Sequence, residues 1–157
     1  MPTGNPKIVI IPPERAAFRL DAHGRWHNQG GPFRKKKIID YFNRAISRDD
    51  RGYYVGQQNG EVEERVYFPY EDTALFVVHL TVDPPCLDLN TGRKIDLIPE
   101  DLFVRGDNLY VRLGDETAKF AERALLQLSR HLDEDAGQLT LTVAGRCVRL
   151  PLLPDPQ

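Results

Sequence analysis

The chain of 157 residues is 41% hydrophobic and 28% charged, with 12 glycines, 12 prolines and two cysteines. This composition is typical of a globular protein, and it excludes an intrinsically disordered chain, a collagen-like repeat and a disulfide-stapled miniprotein. The net charge of -2 excludes a general attraction to nucleic acid or to an anionic membrane, so binding of either kind would need a local basic cluster.

Three features of the sequence predict a cytoplasmic protein. Apolar runs such as Ile8–Ile11 and Leu75–Val78 are far shorter than the roughly 20 residues that span a bilayer, so no membrane association is expected. Residues 1–7 lack the basic region and the long apolar stretch of a signal peptide. Cys86 and Cys147 are solitary, which is typical of buried thiols in a reducing compartment.

The first elements are a tail and a hairpin. Residues 1–17 contain several prolines and are predicted to form a surface tail. Strand patterns at Phe18–Leu20 and Arg25–Asn28 then flank a His23-Gly24 turn. These two segments are therefore expected to pair as an antiparallel hairpin.

A helix and a second hairpin follow. Apolar residues three and four apart predict a helix from about Phe33 to Arg48. Asn59-Gly60 lies between two strand patterns and is a strong hairpin signal, because both residues tolerate positive φ. Residues 18–68 are thus predicted to form a first ββαββ repeat.

Residues 69–101 are predicted to connect this repeat to a second one through a strand and a hairpin. Ala74–Val82 is the most apolar strand pattern of the chain. The turn at Asn90-Thr91-Gly92 would pair Cys86–Leu89 with Lys94–Leu97.

Residues 102–152 repeat the order of hairpin, helix and hairpin, and residues 153–157 form a C-terminal tail. The hairpin strands are Leu102–Val104 with Leu109–Leu113 and Gln138–Val143 with Arg146–Leu150, and the helix is predicted from about Glu116 to His131. The two repeats correspond at constant offsets of 84 and then 85 residues, although any α+β chain can yield two similar halves by chance. The predicted fold is α+β, with two tandem ββαββ-like repeats, a central strand and hairpin, and mostly antiparallel sheets.

The first predicted helix has an unfavourable charge arrangement. Arg34-Lys35-Lys36-Lys37 lie at its start and Asp49-Asp50 near its end, opposite to the preference of the helix dipole. The second predicted helix has the favourable arrangement, with Asp115-Glu116 at its start and Arg130-His131 near its end. This contrast suggests that the cations of the first helix serve a ligand.

A small anionic ligand is the partner that this segment favours. Glycines before the helix let backbone N–H groups approach a phosphate or carboxylate, basic side chains neutralise it, and an aromatic residue on the preceding strand offers a stacking surface. The candidate anion-binding residues are Trp26, His27, Gly30, Gly31, Arg34, Lys35 and Lys36. The alternative is that the lysines form a solvated face above Trp26 in the core.

Other functions remain open at this stage. No catalytic motif, metal site or cofactor is predicted, since His23 and His27 have no third ligand nearby. A protein-interaction or homodimeric module using sheet edges is one alternative. An enzyme would need convergent titratable groups, for example His27 close to Asp21. Nucleic-acid binding is unlikely because of the balanced charge.

Three segments resemble a bacterial family of unknown function, DUF1285. They are Asp21–Trp26, Gly31–Lys36 and Arg48–Tyr54. They are similar to the family's acidic-x-x-Gly-x-Trp turn, its Pro followed by an Arg-Lys pair, and its Asp-Asp-Gly-Tyr stretch. The resemblance covers Phe18 to Val55, and more loosely Leu109–Arg112 with the helix after it. It implies an α+β fold of repeated motifs and a signalling or ligand-binding role.

Overall fold

The computed structural model describes residues 7–155 and divides the chain into two units, Met1–Ala74 and Leu75–Gln157. They are called here the N-terminal unit and the C-terminal unit. Residues 1–6 and 156–157, which belong to the predicted tails, lie outside the described part. Neither helix between residues 7 and 155 has the length and apolar content needed to cross a bilayer.

The described part of the N-terminal unit holds seven strands and one α-helix. They are β1 (Lys7–Ile11), β2 (Phe18–Leu20), β3 (Trp26–Asn28), β4 (Gly31–Pro32), α1 (Lys36–Arg44), β5 (Ile46–Asp49), β6 (Gly52–Asn59) and β7 (Val62–Tyr67). β2, β3 and β4 form one small antiparallel sheet, and a second sheet has the order β1-β7-β6-β5. Ile46, Val55 and Val66 are direct neighbours across three strands of this second sheet and are all buried. They give the sheet its apolar face.

The described part of the C-terminal unit holds ten strands and one α-helix. They are β8 (Leu75–Val82), β9 (Pro85–Leu89), β10 (Lys94–Asp96), β11 (Leu102–Arg105), β12 (Asn108–Leu113), β13 (Glu116–Phe120), α2 (Glu122–Ser129), β14 (Leu132–Asp135), β15 (Gln138–Val143), β16 (Arg146–Arg149) and β17 (Leu152–Leu153). One sheet has the order β10-β9-β8-β13-β12-β11-β17, and a smaller one the order β14-β15-β16. Most strand pairs of the chain are antiparallel, which confirms the predicted α+β class with mostly antiparallel sheets.

The predicted hairpins are all present. β2 pairs with β3, β6 with β7, β9 with β10, β11 with β12, and β15 with β16, each antiparallel. Turn residues account for this success, because the conformation of two to five residues sets the register of the strands beside them. Gly60, for example, has a φ of +65° at the turn between β6 and β7.

Three segments differ from the prediction. Lys7–Ile11, assigned to the tail, is strand β1 and pairs in parallel with β7. Helix α1 ends at Arg44, because Ile46–Asp49 pairs with β6. Glu116–Phe120, assigned to the second helix, is strand β13, with Ala118 and Phe120 buried between β12 and β8. For β1 and β13, pairing with a distant strand outweighs the local coil or helical pattern, and for β5 the hairpin with the next strand does so.

The order of elements recurs in the two predicted repeats. Each has three strands, a helix and three strands: β2 to β7 around α1, and β11 to β16 around α2. The registers differ, however, since Leu20 pairs with Trp26 whereas Val104 pairs with Leu109 rather than Tyr110. The constant offset of 84 therefore misses the hairpin register by one residue, and duplication stays a prediction.

Candidate anion-binding site

Trp26 is a core residue of the N-terminal unit. Strand β3 buries its side chain to 1% exposure, and the indole Nε1–H donates to Asn43 Oδ1 at 2.7 Å. The ring packs edge-on against Phe42 and Phe68, with centroids 5.4 and 4.8 Å away. The predicted use of Trp26 as a stacking surface for a ligand is inconsistent with this burial. Its role is to hold α1 against the hairpin, as the alternative interpretation supposed.

Helix α1 starts with cations, as predicted. Its first turn carries Lys36 and Lys37 and no acid. Lys35 is the N-cap residue, in an extended conformation, and forms no side-chain cap. Because the free N–H groups and the dipole already make this end positive, three lysines here raise its attraction for an anion and lower helix stability.

The far end of α1 does not carry the predicted acids. Its last turn holds Arg44, which is favourable there, while Asp49 belongs to β5 and Asp50 to the turn after it. The predicted start of the second helix is also wrong, since α2 begins at Glu122. Glu122 nevertheless puts an acid in its first turn, so the two helices still differ at their N-termini.

A pocket of about 390 Å³ opens beside the start of α1 and is called here the Arg34 pocket. It is lined by Asn28, Pro32, Phe33, Arg34, Lys35, Ile38 and Phe42. Phe33 and Phe42 meet edge-to-face at 4.9 Å. The pocket thus combines two cations and an amide with an apolar surface, and no carboxylate lines it.

The other predicted residues lie around this pocket without lining it. Lys36 is 89% exposed and pairs with Asp40 at 2.7 Å, one helical turn away. The backbone N–H of Gly30 donates to Asn28 Oδ1 at 2.8 Å, which closes the turn after β3. Gly31 has a φ of +111°, a conformation that glycine favours. The two glycines therefore shape the approach to α1.

His27 and Asp21 are in contact, at 2.7 Å from His27 Nε2 to Asp21 Oδ2. Asp21 Oδ1 also accepts the backbone N–H groups of His23 and Arg25, at 2.8 and 2.9 Å. Burial pushes the pKa of Asp21 up, but hydrogen bonds from the Arg25 backbone, the His27 ring and the His23 backbone outweigh it. The pKa of Asp21 is therefore below its ordinary value, and its charge holds the imidazole in one orientation.

His27 lines a second pocket, of about 260 Å³, called here the His27 pocket. Its wall includes Phe18, Asn28, Gln29 and Pro69. An enzyme would need convergent titratable groups such as His27 and Asp21, and the structure brings this pair together. Neither pocket has a Ser, Thr or Cys side chain in its described lining, so neither offers a hydroxyl or thiol nucleophile.

The apolar lining of the Arg34 pocket was missed by sequence reasoning. Ile38 and Phe42 have the i,i+4 spacing of one helical face, and that spacing predicted only core packing. In the structure Ile38 is 44% exposed. An exposed apolar residue on a helix beside cations indicates a binding surface, but its exposure can be seen only in the tertiary structure.

Other candidate groups serve packing or remain isolated. Gln127 of α2 accepts the backbone N–H of Leu80 at 2.8 Å and donates to His79 Nδ1 at 3.1 Å, so His79 helps to hold α2 on β8. Within residues 7–155 no three His, Cys, Asp or Glu side chains are grouped to hold a metal. Both cysteines are free, and the expected burial is wrong for Cys147, which is exposed.

Two solved structures resemble this fold, and both are of DUF1285 family proteins. The protein from Silicibacter pomeroyi DSS-3 is 16% identical with a TM-score of 0.60, over 93% of this chain and 83% of that chain. The protein from Shewanella baltica OS155 is 18% identical with a TM-score of 0.51, over 73% of this chain and 91% of that chain. No protein-family model and no curated protein matches the sequence. The resemblance first seen in three sequence segments therefore holds at the level of structure: the chain has the fold of the DUF1285 family.

Proposed function

We propose that this protein is a non-enzymatic binding or signalling module whose N-terminal unit binds a small anionic ligand in the Arg34 pocket. One observation carries the proposal: Arg34 and Lys35 line the same concavity as Phe33, Ile38 and Phe42. Such a surface suits an anion that is attached to an apolar or ring-shaped body. The position of the pocket at the start of α1 adds the partial positive charge of the helix.

The charges around the pocket favour an anion over a neutral ligand. Arg34 and Lys35 form no ion pair within residues 7–155, whereas the charge of Lys36, outside the pocket, is balanced by Asp40. A ligand carboxylate or phosphate would supply the missing counter-charge through charge-assisted hydrogen bonds, which are about twice as strong as neutral ones. Burial of its apolar part would add roughly 25 cal/mol per Å².

The proposal is tested with a panel of ligands and with variants of Arg34, Lys35 and Lys36. Organic phosphates and carboxylates are screened by thermal shift, and hits are titrated by calorimetry. Saturation at 100 times the Kd stabilises the folded state by about 2.7 kcal/mol. Arg34→Ala with Lys35→Ala should weaken binding at least tenfold, while Lys36→Ala, which removes a cation outside the pocket, should leave the Kd unchanged. The proposal fails if no anion binds, or if Lys36→Ala weakens binding as much as the double substitution does.

The edge of the larger N-terminal sheet supports a second candidate, self-association. Strand β1 ends this sheet, and Ile8 and Ile10 on it are 46% and 41% exposed. An open edge with apolar side chains can pair with the same strand of a second copy. Light scattering should then show a dimer that Ile10→Lys dissociates, and a monomer at high concentration would contradict this candidate.

We also infer that the two stretches of three strands, a helix and three strands arose by duplication. The shared element order supports this, and superposition of residues 18–68 on residues 102–152 tests it. A cytoplasmic location likewise remains a prediction, which cell fractionation would test.

A further inference from the structure

Helix α1 is held to its unit along one side only. Phe42 packs its ring edge-on against Trp26 and Phe18, with centroids 5.4 and 4.8 Å away. Asn43, the next residue, accepts the hydrogen bond of the Trp26 indole, and Ile39, one turn earlier, is half-buried on the same side. None of the nine residues of α1 is fully buried. The opposite side of the helix therefore faces away from the core.

The opposite side of α1 combines cations with exposed apolar side chains, and it is called here the outer α1 face. Lys37, Tyr41 and Arg44 follow one another at spacings of four and three residues, so they lie on one stripe, across the helix from the residues that hold it. Tyr41 is 56% exposed, and Ile38 at the flank of the stripe is 44% exposed. Lys37 and Arg44 are exposed and form no ion pair within residues 7–155. The outer α1 face, Lys37, Ile38, Tyr41 and Arg44, thus presents unpaired cations beside apolar surface.

The charge of α1 contrasts with that of the rest of the chain. Residues 34–44 include five basic side chains and one acid, Asp40, which pairs with Lys36 at 2.7 Å. Of the 21 basic and 23 acidic residues of the chain, 16 basic and 22 acidic ones therefore lie elsewhere. A negatively charged surface would attract α1 and repel the remainder, so it would orient the protein with α1 toward itself.

An anionic lipid bilayer matches both the charge and the apolar character of the outer α1 face. A broad, flat surface suits the convex side of a helix, whereas small ligands occupy concave sites. Tyrosine suits the interface between lipid and water, because its ring is apolar and its hydroxyl is polar. A dissolved polyanion would neutralise Lys37 and Arg44 but would leave Ile38 and Tyr41 in water. The combination therefore favours a bilayer over a dissolved polyanion.

We propose that the outer α1 face docks this protein on an anionic lipid bilayer, with Lys37 and Arg44 among the headgroups and Tyr41 and Ile38 at the edge of the acyl region. This inference goes beyond the proposed function, because Lys37, Tyr41 and Arg44 are not part of the Arg34 pocket. The short apolar runs of the chain led to the expectation of no membrane association, but a helix that lies on a bilayer needs no spanning segment. Each cation at an anionic leaflet strengthens attachment about fivefold, so docking is reversible.

Vesicle sedimentation with two charge-matched variants tests the docking. The full chain is mixed with vesicles of phosphatidylcholine, either alone or with about one third phosphatidylglycerol, at about 0.1 M salt. Only the anionic vesicles should bind the protein. Lys37→Glu with Arg44→Glu should weaken this binding at least tenfold. Arg15→Glu with Arg51→Glu makes the same change in net charge at exposed positions of the same unit and should have a much smaller effect.

Tyr41 allows the apolar part of the contact to be measured separately. Tyr41→Trp places an indole on the outer α1 face, and anionic vesicles should shift its fluorescence to shorter wavelength. The unmodified protein is the control, since Trp26 is buried and its emission should not change. Tyr41→Ala should weaken vesicle binding severalfold, whereas Leu126→Ala, at an exposed leucine of α2, should not. Thermal unfolding of each variant checks that these exposed substitutions leave the fold intact.

Other occupants of this face predict different results. Equal binding to neutral vesicles, equal losses in the two charge variants, or no binding to either kind of vesicle would overturn the inference. So would a dimer, seen by light scattering, that Lys37→Glu with Arg44→Glu dissociates while no vesicle binds, because the face would then belong to a second copy.

The docking and the proposed function can fail separately. Free glycerol 3-phosphate should not release the protein from anionic vesicles. If it does, and if Arg34→Ala with Lys35→Ala abolishes vesicle binding while Lys37→Glu with Arg44→Glu does not, the lipid headgroup occupies the Arg34 pocket and the docking through the outer α1 face is wrong. Calorimetry with small anions is unaffected by any of these results, so the proposed function stands or falls on its own.

Discussion

Trp26 shows how a residue beside a proposed binding site can serve packing alone. It was predicted to stack against a ligand, but it is buried and bonded to Asn43 of α1. A tryptophan between a basic segment and a turn has the same sequence signature in either role. Only its depth in the fold distinguishes them, and that depth depends on Phe42 and Phe68 packing over it.

Asp21 links the fold of the first hairpin to the His27 pocket. Its two carboxylate oxygens accept hydrogen bonds from the His27 ring and from two backbone N–H groups. These contacts keep the pKa of the carboxyl below its ordinary value despite partial burial. Ionised Asp21 therefore stabilises the folded state, fully above the unfolded pKa of about 3.9, and this stabilisation is lost as the pH falls through the lower folded pKa.

Asp21→Asn should reduce the free energy of unfolding at pH 7, because a neutral amide makes weaker hydrogen bonds than a carboxylate. The difference from the unmodified protein should shrink as the pH is lowered below about 4. Urea unfolding followed by the fluorescence of Trp26, the single tryptophan, measures this at pH 7 and pH 3. Asp50→Asn, at an exposed turn position, is the control. A difference that stays constant with pH would contradict the account of Asp21.

At the scale of elements, helix α1 combines poor capping with the proposed binding surface. Its N-cap position holds Lys35 in the extended conformation that Ser, Thr, Asp or Asn usually adopts there. The side chain of a lysine accepts no hydrogen bond, so the N–H groups that precede Ile38, whose own N–H donates to the Lys35 carbonyl at 3.1 Å, remain available to an anion. The arrangement suggests that the start of α1 favours anion binding at the cost of helix stability.

Lys35→Asp should separate these two properties. An aspartate at this position caps the helix and complements its dipole, so the free energy of unfolding should rise by about 0.5–1.5 kcal/mol. Ligand affinity should fall at least tenfold, because an acid replaces a cation in the Arg34 pocket. Lys35→Ala provides the comparison, since it removes the cation without adding a cap. Equal stabilisation by both substitutions would show that capping plays no part.

The hairpin between β5 and β6 depends on one glycine. Gly52 has a φ of +122°, and a Cβ atom there would meet nothing within 4 Å, so the cost of a side chain is conformational rather than steric. Gly52→Ala should therefore lower the free energy of unfolding by about 1–3 kcal/mol. Gly56→Ala on the same strand is the control, because its Cβ would make ordinary contact with Tyr54 at 3.5 Å. Equal effects of the two substitutions on urea unfolding would contradict this explanation.

At the scale of the whole molecule, the small negative net charge limits the range of partners. The basic residues at the start of α1 are a local feature within a chain of 21 basic and 23 acidic residues. A short cluster of this kind attracts a small anion at contact distance, while its field on a long polyanion is screened over about 8 Å at physiological salt.

The protein should therefore pass through a heparin column at about 0.15 M salt without retention. Retention that Arg34→Ala with Lys35→Ala removes would instead indicate a polyanion site, and would favour nucleic acid over a small anion. Retention unchanged by these substitutions would point to a basic surface elsewhere on the chain.

Local chemistry made part of this structure predictable. Turn signals such as Asn59-Gly60 and Ala144-Gly145 determine which strands pair as hairpins, since the residues involved are close in sequence. The cations at the start of α1 can also be read directly from the sequence. The hairpins and the cationic start of α1 are both present in the structure, because no distant contact competes with them.

Pairing between distant segments could be decided only by the tertiary structure. β1 joins β7, and β13 joins β8, because the backbone groups of each strand find partners far along the chain. The cavity of the proposed binding site could not be read from the sequence either. The pairing of β3 with β4 places Asn28 beside the segment that leads into α1, and the sequence states which residues are present but not which of them share a cavity.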